Sequence, residues 1–174
     1  ESPQSSREIF KVSDADFEEQ AESWAELRWE PNDSIGFITG ARFSKWFGVF
    51  DDMTIEPRTT FFWQVADRTR LTLGTGLNKQ RPSYDETSPD TGNPNLISEQ
   101  SIYGVVGIKQ QIGEQLAIDL QGFTKRLDNL VSPVPFDPEN LEAPPYDNEG
   151  DGTVIGGELL ARYSNDRFNA WFSY

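Results

Sequence analysis

Apolar and polar residues alternate with period two along most of this chain. In RLTLGTGLNK (70–79), Leu71, Leu73, Thr75 and Leu77 fall on one face of an extended segment; Arg70, Thr72, Gly74, Gly76 and Asn78 fall on the other. Residues 55–65 set Thr59, Phe61, Trp63 and Val65 against Arg58, Thr60, Phe62 and Gln64, and residues 116–124 set Leu116, Ile118 and Leu120 against Ala117, Asp119, Gln121 and Phe123. The pattern predicts eight strands, at 20–30, 34–46, 55–65, 69–79, 101–111, 116–131, 153–163 and 167–174. Short turns with Asp, Asn or Gly close them into four hairpins: PND (31–33), ADR (66–68), IGEQ (112–115) and SND (164–166). The connections between hairpins are longer, at 46–54, 80–100 and 132–152. Residues 1–19 are polar and acidic and read as a loop.

Short turns at one end and long loops at the other define an antiparallel up-and-down meander, because a Greek-key sandwich mixes connection lengths at both ends. A single alternating strand fits a soluble sheet with one wet face as well as a membrane barrel with a lipid face and a wet lumen. Taken together, the strands favour the barrel. Their polar faces carry glycines and charges strand after strand, and their lengths match the roughly 9–11 residues of a tilted membrane strand. Leu71, Leu73, Leu116, Ile118 and Leu120 are therefore expected to face lipid. Gly74, Gly76, Gly107, Phe62, Trp24, Phe123 and Trp171 are expected to face inward. Were these eight strands to close on themselves, the rings would crowd the lumen and the glycines would leave gaps beside them, so an open, curved sheet is expected. Trp29, Trp46, Phe47, Trp63, Phe123, Tyr163, Phe168 and Trp171 lie toward strand ends, where an interfacial girdle would place them.

Composition narrows function further. Hydrophobic residues are only 36% of the chain while aromatics reach 13%, and Gly and Pro together number 25 (14 and 11), an all-β balance. A net charge of −14 with no basic stripe removes the electrostatic footprint of nucleic-acid binding. The absence of Cys and His removes thiol nucleophiles, Ser-His-Asp triads, His-ligated zinc and His-ligated haem. No apolar run approaches 18 residues, which excludes a membrane helix in these residues and says nothing of a barrel. The chain starts at Glu1 without a signal peptide and stops mid-pattern at NAWFSY, so a portion of something longer is expected.

Three stretches, in order, resemble the barrel of TonB-dependent outer-membrane receptors. EPRTTFFWQVADRTRLTLGTGLNKQRPS (56–83) is similar to the family's Pro-Arg strand opening, short periplasmic turn and glycine-bearing upstrand. NLISEQSIYGVVGIKQQIGEQLAIDLQGFTKRLDNLV (95–131) and NEGDGTVIGGELLARYSNDRFNAWFSY (148–174) resemble two further hairpins, ending in Lys-x-Leu-x-x-Leu-Val and aromatic-Ser-Tyr. Together they cover about 90 of 174 residues. The resemblance implies a large plugged barrel, of about 22 strands, in the outer membrane of a Gram-negative bacterium. It implies energy-coupled uptake of a scarce ligand such as a siderophore, vitamin or oligosaccharide. The expected partners are outer-membrane lipid, a small-molecule ligand, and an inner-membrane energy-coupling protein reached through parts of the parent chain beyond these residues. With no plug, no energy-coupling box and too few strands, residues 1–174 would form one partial barrel domain from a receptor's middle portion. A complete eight-stranded outer-membrane barrel of structural or adhesive role and a soluble lipocalin-like binder are the alternatives.

Candidate chemistry is sparse, and no enzyme, cofactor or metal site is expected. DNEGDG (147–152) sets Asp147, Glu149 and Asp151 at short spacing but lacks the distal glutamate of a calcium loop, and reads as a solvated turn. Asp137, Glu139 and Glu142 extend the acidic loop 132–152, which could attract cationic ligands. Nothing pins two of the 29 acids at one cleft for glycoside hydrolysis. Glu158 and Arg162 alternate inward on one strand and suggest a lumen ion pair. Gln80, Arg81 and Tyr84, at the start of the second long loop, are the candidate ligand contacts.

Overall fold

The computed structural model describes residues 19–48, 50–136, 138–140 and 143–174. The loop assigned to residues 1–19 lies, but for Glu19, outside the described residues. Eight strands follow one another: β1 (Glu19–Asn32), β2 (Ile35–Phe47), β3 (Met53–Ala66), β4 (Thr69–Gln80), β5 (Glu99–Ile112), β6 (Leu116–Pro133), β7 (Tyr146–Ser164) and β8 (Asn169–Ser173). A one-turn helix, α1 (Tyr84–Thr87), interrupts the connection from β4 to β5. Each strand pairs antiparallel with the next, in the order β1 to β8. The four tight turns therefore share one end and the long loops the other, as the connection lengths predicted.

In the first and fourth turns an Asn side chain supplies the backbone acceptor that the turn lacks. Asn32 Oδ1 accepts from the N–H groups of Ser34 (2.9 Å) and Ile35 (3.0 Å). Asn165 Oδ1 accepts from those of Arg167 (2.9 Å) and Phe168 (2.8 Å). Gly113 closes the third turn at φ +62°, a conformation open to glycine at no steric cost. Pro57 sits inside β3 although proline cannot donate to a ladder. The β3–β4 ladder starts only at Arg58–Gly76, while residues 53–57 pair with β2 alone.

Register sorts every side chain onto one of two faces. One face carries the rungs Ile35–Trp63–Leu71–Ile108–Leu120–Leu159, Trp29–Phe37–Phe61–Leu73–Val106–Gly122–Gly157 and Leu27–Thr39–Thr59–Thr75–Gly104–Thr124–Ile155. None of these residues is charged. The opposite face carries Glu26, Arg28, Arg58, Arg70, Lys109, Asp119, Lys125, Glu158 and Arg162 at the interleaved rungs. The loop-end core belongs to this charged face. Ser44, Trp46, Thr54 and Glu56 are buried there, while Met53 and Ile55, on the apolar face, are exposed. The charged face is thus inward and the apolar face outward, with Leu73, Val106 and Leu120 each about half exposed. Such an outward surface suits hydrocarbon and not water.

Several expectations need correction. The girdle is partial: Trp29 and Trp63 project outward near the turns, where Trp29 stacks on Phe37 (5.7 Å) and Phe37 packs on Phe61 (5.0 Å). Trp46 instead points inward and is buried edge-on to Phe50 (6.0 Å), and Phe123 and Trp171 also lie on the inward face. Several inward glycines are covered by rings rather than left open. The Phe62 ring lies over Gly36, Tyr103 over Gly76 and Phe123 over Gly156, each aromatic covering its cross-strand partner. β7 begins at Tyr146, so DNEGDG is strand and not turn. Glu158 and Arg162 share a face but are four residues apart on β7, roughly 13 Å by strand rise and beyond ion-pair range. Finally, β1 and β8 do not pair with each other, so the eight strands form an open sheet and neither alternative small closed barrel.

Candidate functional site at the loop end

The chemistry available to a ligand lies on the inward face near the long loops. Arg42 of β2 grips Glu56 of β3 through two contacts, Nε to Oε1 at 3.2 Å and the terminal guanidinium nitrogen to Oε2 at 2.7 Å. Glu56 is only 4% exposed, so this paired geometry is what permits its burial. Glu22 of β1 stands 3.9 Å from the same guanidinium and accepts from the Ser44 hydroxyl at 3.2 Å. One rung further from the loops, Arg58 contacts Glu26 at 3.2 Å. Nearer the turns, Arg28 and Arg70 lie over the Phe62 ring at 5.7 and 5.3 Å. Charges thus alternate across β1–β4, paired between strands at Arg42–Glu56 and Arg58–Glu26 and within β1 at Arg28–Glu30 (2.6 Å).

Beside this array is a cleft of about 300 Å³, bordered by Arg42, Asn78, Gln80, Glu99, Ser101 and Leu127. Gln80, the last residue of β4, pairs with Glu99 and reaches it. Arg81 and Tyr84 sit further along the connection and do not border it: Arg81 is half-buried and Tyr84 opens α1. The structure therefore brings one of the three sequence candidates to the cleft and leaves two on the loop above.

The loops over this face are stitched down by polar contacts that no sequence pattern marks. Ser98 donates to Asp52 (2.6 Å) and Asn93 Nδ2 donates to the Tyr146 carbonyl (2.8 Å). Asn148 accepts from the Ile97 N–H (2.8 Å) and donates to the carbonyls of Ile97 (3.1 Å) and Asn129 (2.8 Å). Asn129 holds a positive φ of 59°, which asparagine tolerates better than most residues. The partners are 46 to 53 residues apart in the chain, save Asn148 and Asn129 at 19, so no local pattern encodes them. Residues 80–100 read as loop in the sequence, yet they hold the short helix, which the capping-box spacing of Ser83 and Glu86 could have marked; the Ser83 N–H donates to the Glu86 carboxylate at 2.7 Å.

The acidic segment DNEGDG is an extension of the β6–β7 hairpin beyond the other strands. Asp147 accepts from the Ser132 hydroxyl (2.6 Å) and from the Glu149 N–H (3.1 Å), and these bonds hold its carboxyl below the usual range against a small opposing effect of burial. Both bonds fall on Oδ1 and tie the carboxylate to its own hairpin. Among the described residues, no three acidic side chains converge as metal ligands.

An antiparallel meander whose outward face is apolar, whose inward face is charged and whose loops gather at one end is the wall of a transmembrane β-barrel. The chain belongs to the TonB-dependent receptor-like β-barrel family, whose model matches residues 3–174. Among solved structures, it resembles the siderophore receptor PirA from Acinetobacter baumannii (TM-score 0.73, 16% identity) over 90% of this chain and 27% of that one. PirA from Pseudomonas aeruginosa matches at TM-score 0.72 and 15% identity, over 90% and 32%. The alcaligin outer-membrane receptor FauA from Bordetella pertussis matches at 0.67 and 19%, over 90% and 30%. The chain thus spans about a third or less of the length of these receptors. No curated protein matches the sequence.

Proposed function

We propose that this chain is a sector of the wall of an outer-membrane receptor that takes up a scarce small-molecule ligand, most simply a siderophore, with energy delivered from the inner membrane. The observation that carries this is the segregation of charge: three uncharged outward rungs backed by an inward face of paired arginines and glutamates. A wall of that kind separates hydrocarbon from a wet, polar lumen. The loops above the inward face, pinned through Ser98, Asn93 and Asn148, give a ligand a preorganised entrance. Within it, Gln80 borders the cleft and Arg81 and Tyr84 supply a cation and an aromatic edge on the approach. The protein does no chemistry on its ligand. Lipid surrounds the outward face, and the energy-coupling partner acts through other parts of the parent chain.

The test uses the full receptor containing this sector. A strain lacking its gene is compared with wild type for growth on single ferric siderophores as iron source, with and without dissipation of the inner-membrane proton gradient. We expect at least one ferric siderophore to depend on the gene and on the gradient. Growth and uptake unaffected by the deletion across hydroxamate, catecholate and mixed-ligand chelates would refute siderophore uptake. For the mouth, Arg81→Ala together with Tyr84→Ala should weaken binding of that ligand several-fold with the barrel still folded.

A further inference from the structure

We propose that the outward face of β3–β6 carries a seat for one lipid acyl chain, a groove at mid-span distinct from the general lipid coat. The groove has a volume of about 510 Å³ and is walled by Phe61, Leu73 and Val106. Its floor exists because two outward positions on adjacent strands have no side chain: Gly104 on β5 and Gly122 on β6, one rung apart. The threonines along it demand nothing polar from an occupant. Thr75 donates to the Tyr103 carbonyl at 2.8 Å and Thr59 to the Ile38 carbonyl at 3.4 Å, both on neighbouring strands. Two of the three lining threonines thus commit their hydroxyls, and the third, Thr124, sets its methyl beside Gly104, so the groove presents mainly hydrocarbon.

The occupant follows from place and size. The groove is continuous with the uncharged outward rungs that meet the membrane interior, and nothing in it would repay a polar guest for losing water. A second copy of the receptor is a poor fit. Four strands by two rungs cover roughly 260 Å² by strand spacing and rise, against about 800 Å² per partner for a stable interface. A flexible chain can fill a narrow notch that a rigid sheet cannot enter.

Either glycine can be substituted without strain. A Cβ at Gly104 would meet Thr124 Cγ2 at 3.8 Å, and one at Gly122 would meet Val106 Cγ1 at 3.9 Å, both ordinary contacts. Gly104→Leu and Gly122→Leu should therefore fold and fill the groove. The full receptor in detergent is titrated with a phosphatidylethanolamine bearing a photoreactive diazirine in its acyl chain, illuminated, and mapped by peptide mass spectrometry. We expect labelling of Leu73, Thr75 and Val106 to saturate at low probe and to exceed that of the equally outward Leu77 and Ile102 at least five-fold. Each leucine variant should abolish that excess and leave the other positions unchanged. Uniform labelling of the wild-type outward face would overturn the proposal, as would an excess that survives in both variants. Receptor-to-receptor cross-links through Leu73 or Val106 would overturn it in favour of a dimer.

Discussion

At Gly36 and Gly156 a β-carbon would fall inside the volume held by the Phe62 and Phe123 rings. These positions are occupied by their cross-strand neighbours, which is a tighter constraint than inward polarity alone. Gly156→Ala should destabilise the barrel by about 1–3 kcal/mol through overpacking, and Phe123→Ala in the same chain should remove most of that increment. Urea titration of the full receptor in liposomes measures both, and additive losses would show that the two do not share one volume. Gly74 is different, since a Cβ there meets Thr60 and Val105 only at ordinary contact distance. Leu73→Arg should therefore cost about 2–4 kcal/mol by setting a charge in hydrocarbon, while Gly74→Arg enters the wet lumen and should cost clearly less. Equal stability of Leu73→Arg and wild type would mean that the two faces are wrongly assigned. This part was legible in the sequence because a period of two fixes face once register is known. What covers each glycine was not, since Gly76 and Tyr103 are 27 positions apart and meet only through the β4–β5 ladder.

The element of greatest consequence at the mouth is the β6–β7 extension, which the sequence presented as loop. Its Pro, Asp, Asn and Gly content is turn chemistry, and strand order wins there because tertiary bonds satisfy what local propensity does not. Asn148 ties the extension to the segment after α1 through two hydrogen bonds with Ile97, and braces the hairpin itself through a third to the Asn129 carbonyl. Asn148→Ala leaves the Ile97 amide without that acceptor and should cost about 1–3 kcal/mol locally, seen as faster hydrogen exchange at Ile97 with the membrane strands unchanged. Asp147 gives the same arm a pH dependence. Its carboxyl is held below the ordinary value of about 3.9 by the Ser132 hydroxyl and the Glu149 amide. A depressed folded value means that the contribution is full above the ordinary range and declines as pH falls through it to the folded value. Exchange at Glu149 should accordingly be flat from pH 7 to 5, once corrected for intrinsic rates, and should rise below pH 4. Asp147→Asn should lose that acid-dependent rise.

At the scale of the whole molecule, the meander and its polarity could be read from connection lengths and alternation, while closure could not, because an alternating strand carries no mark of what stands beyond the last one. Among the described residues, β1 is paired along one edge only, and all fourteen of its residues are exposed. β8 is likewise paired on one side, over five residues. Unpaired N–H and C=O groups cannot be left in hydrocarbon, and in water an exposed strand edge recruits further strands. The outward face adds a second difficulty, since rungs of Leu, Val, Ile, Phe and Trp across seven strands exceed any apolar patch a soluble monomer tolerates. Among the described residues, the buried apolar side chains to set against these costs are Trp46, Phe50 and Leu96. Residues 1–174 produced alone should therefore require detergent or aggregate, whereas the full receptor, with β1 and β8 paired to further strands, should refold into liposomes. Light scattering on the refolded chain at micromolar concentration tests this. A monodisperse monomer in detergent-free buffer would mean that the outward face is covered by the chain itself, and would contradict the lipid-facing assignment on which the barrel wall rests.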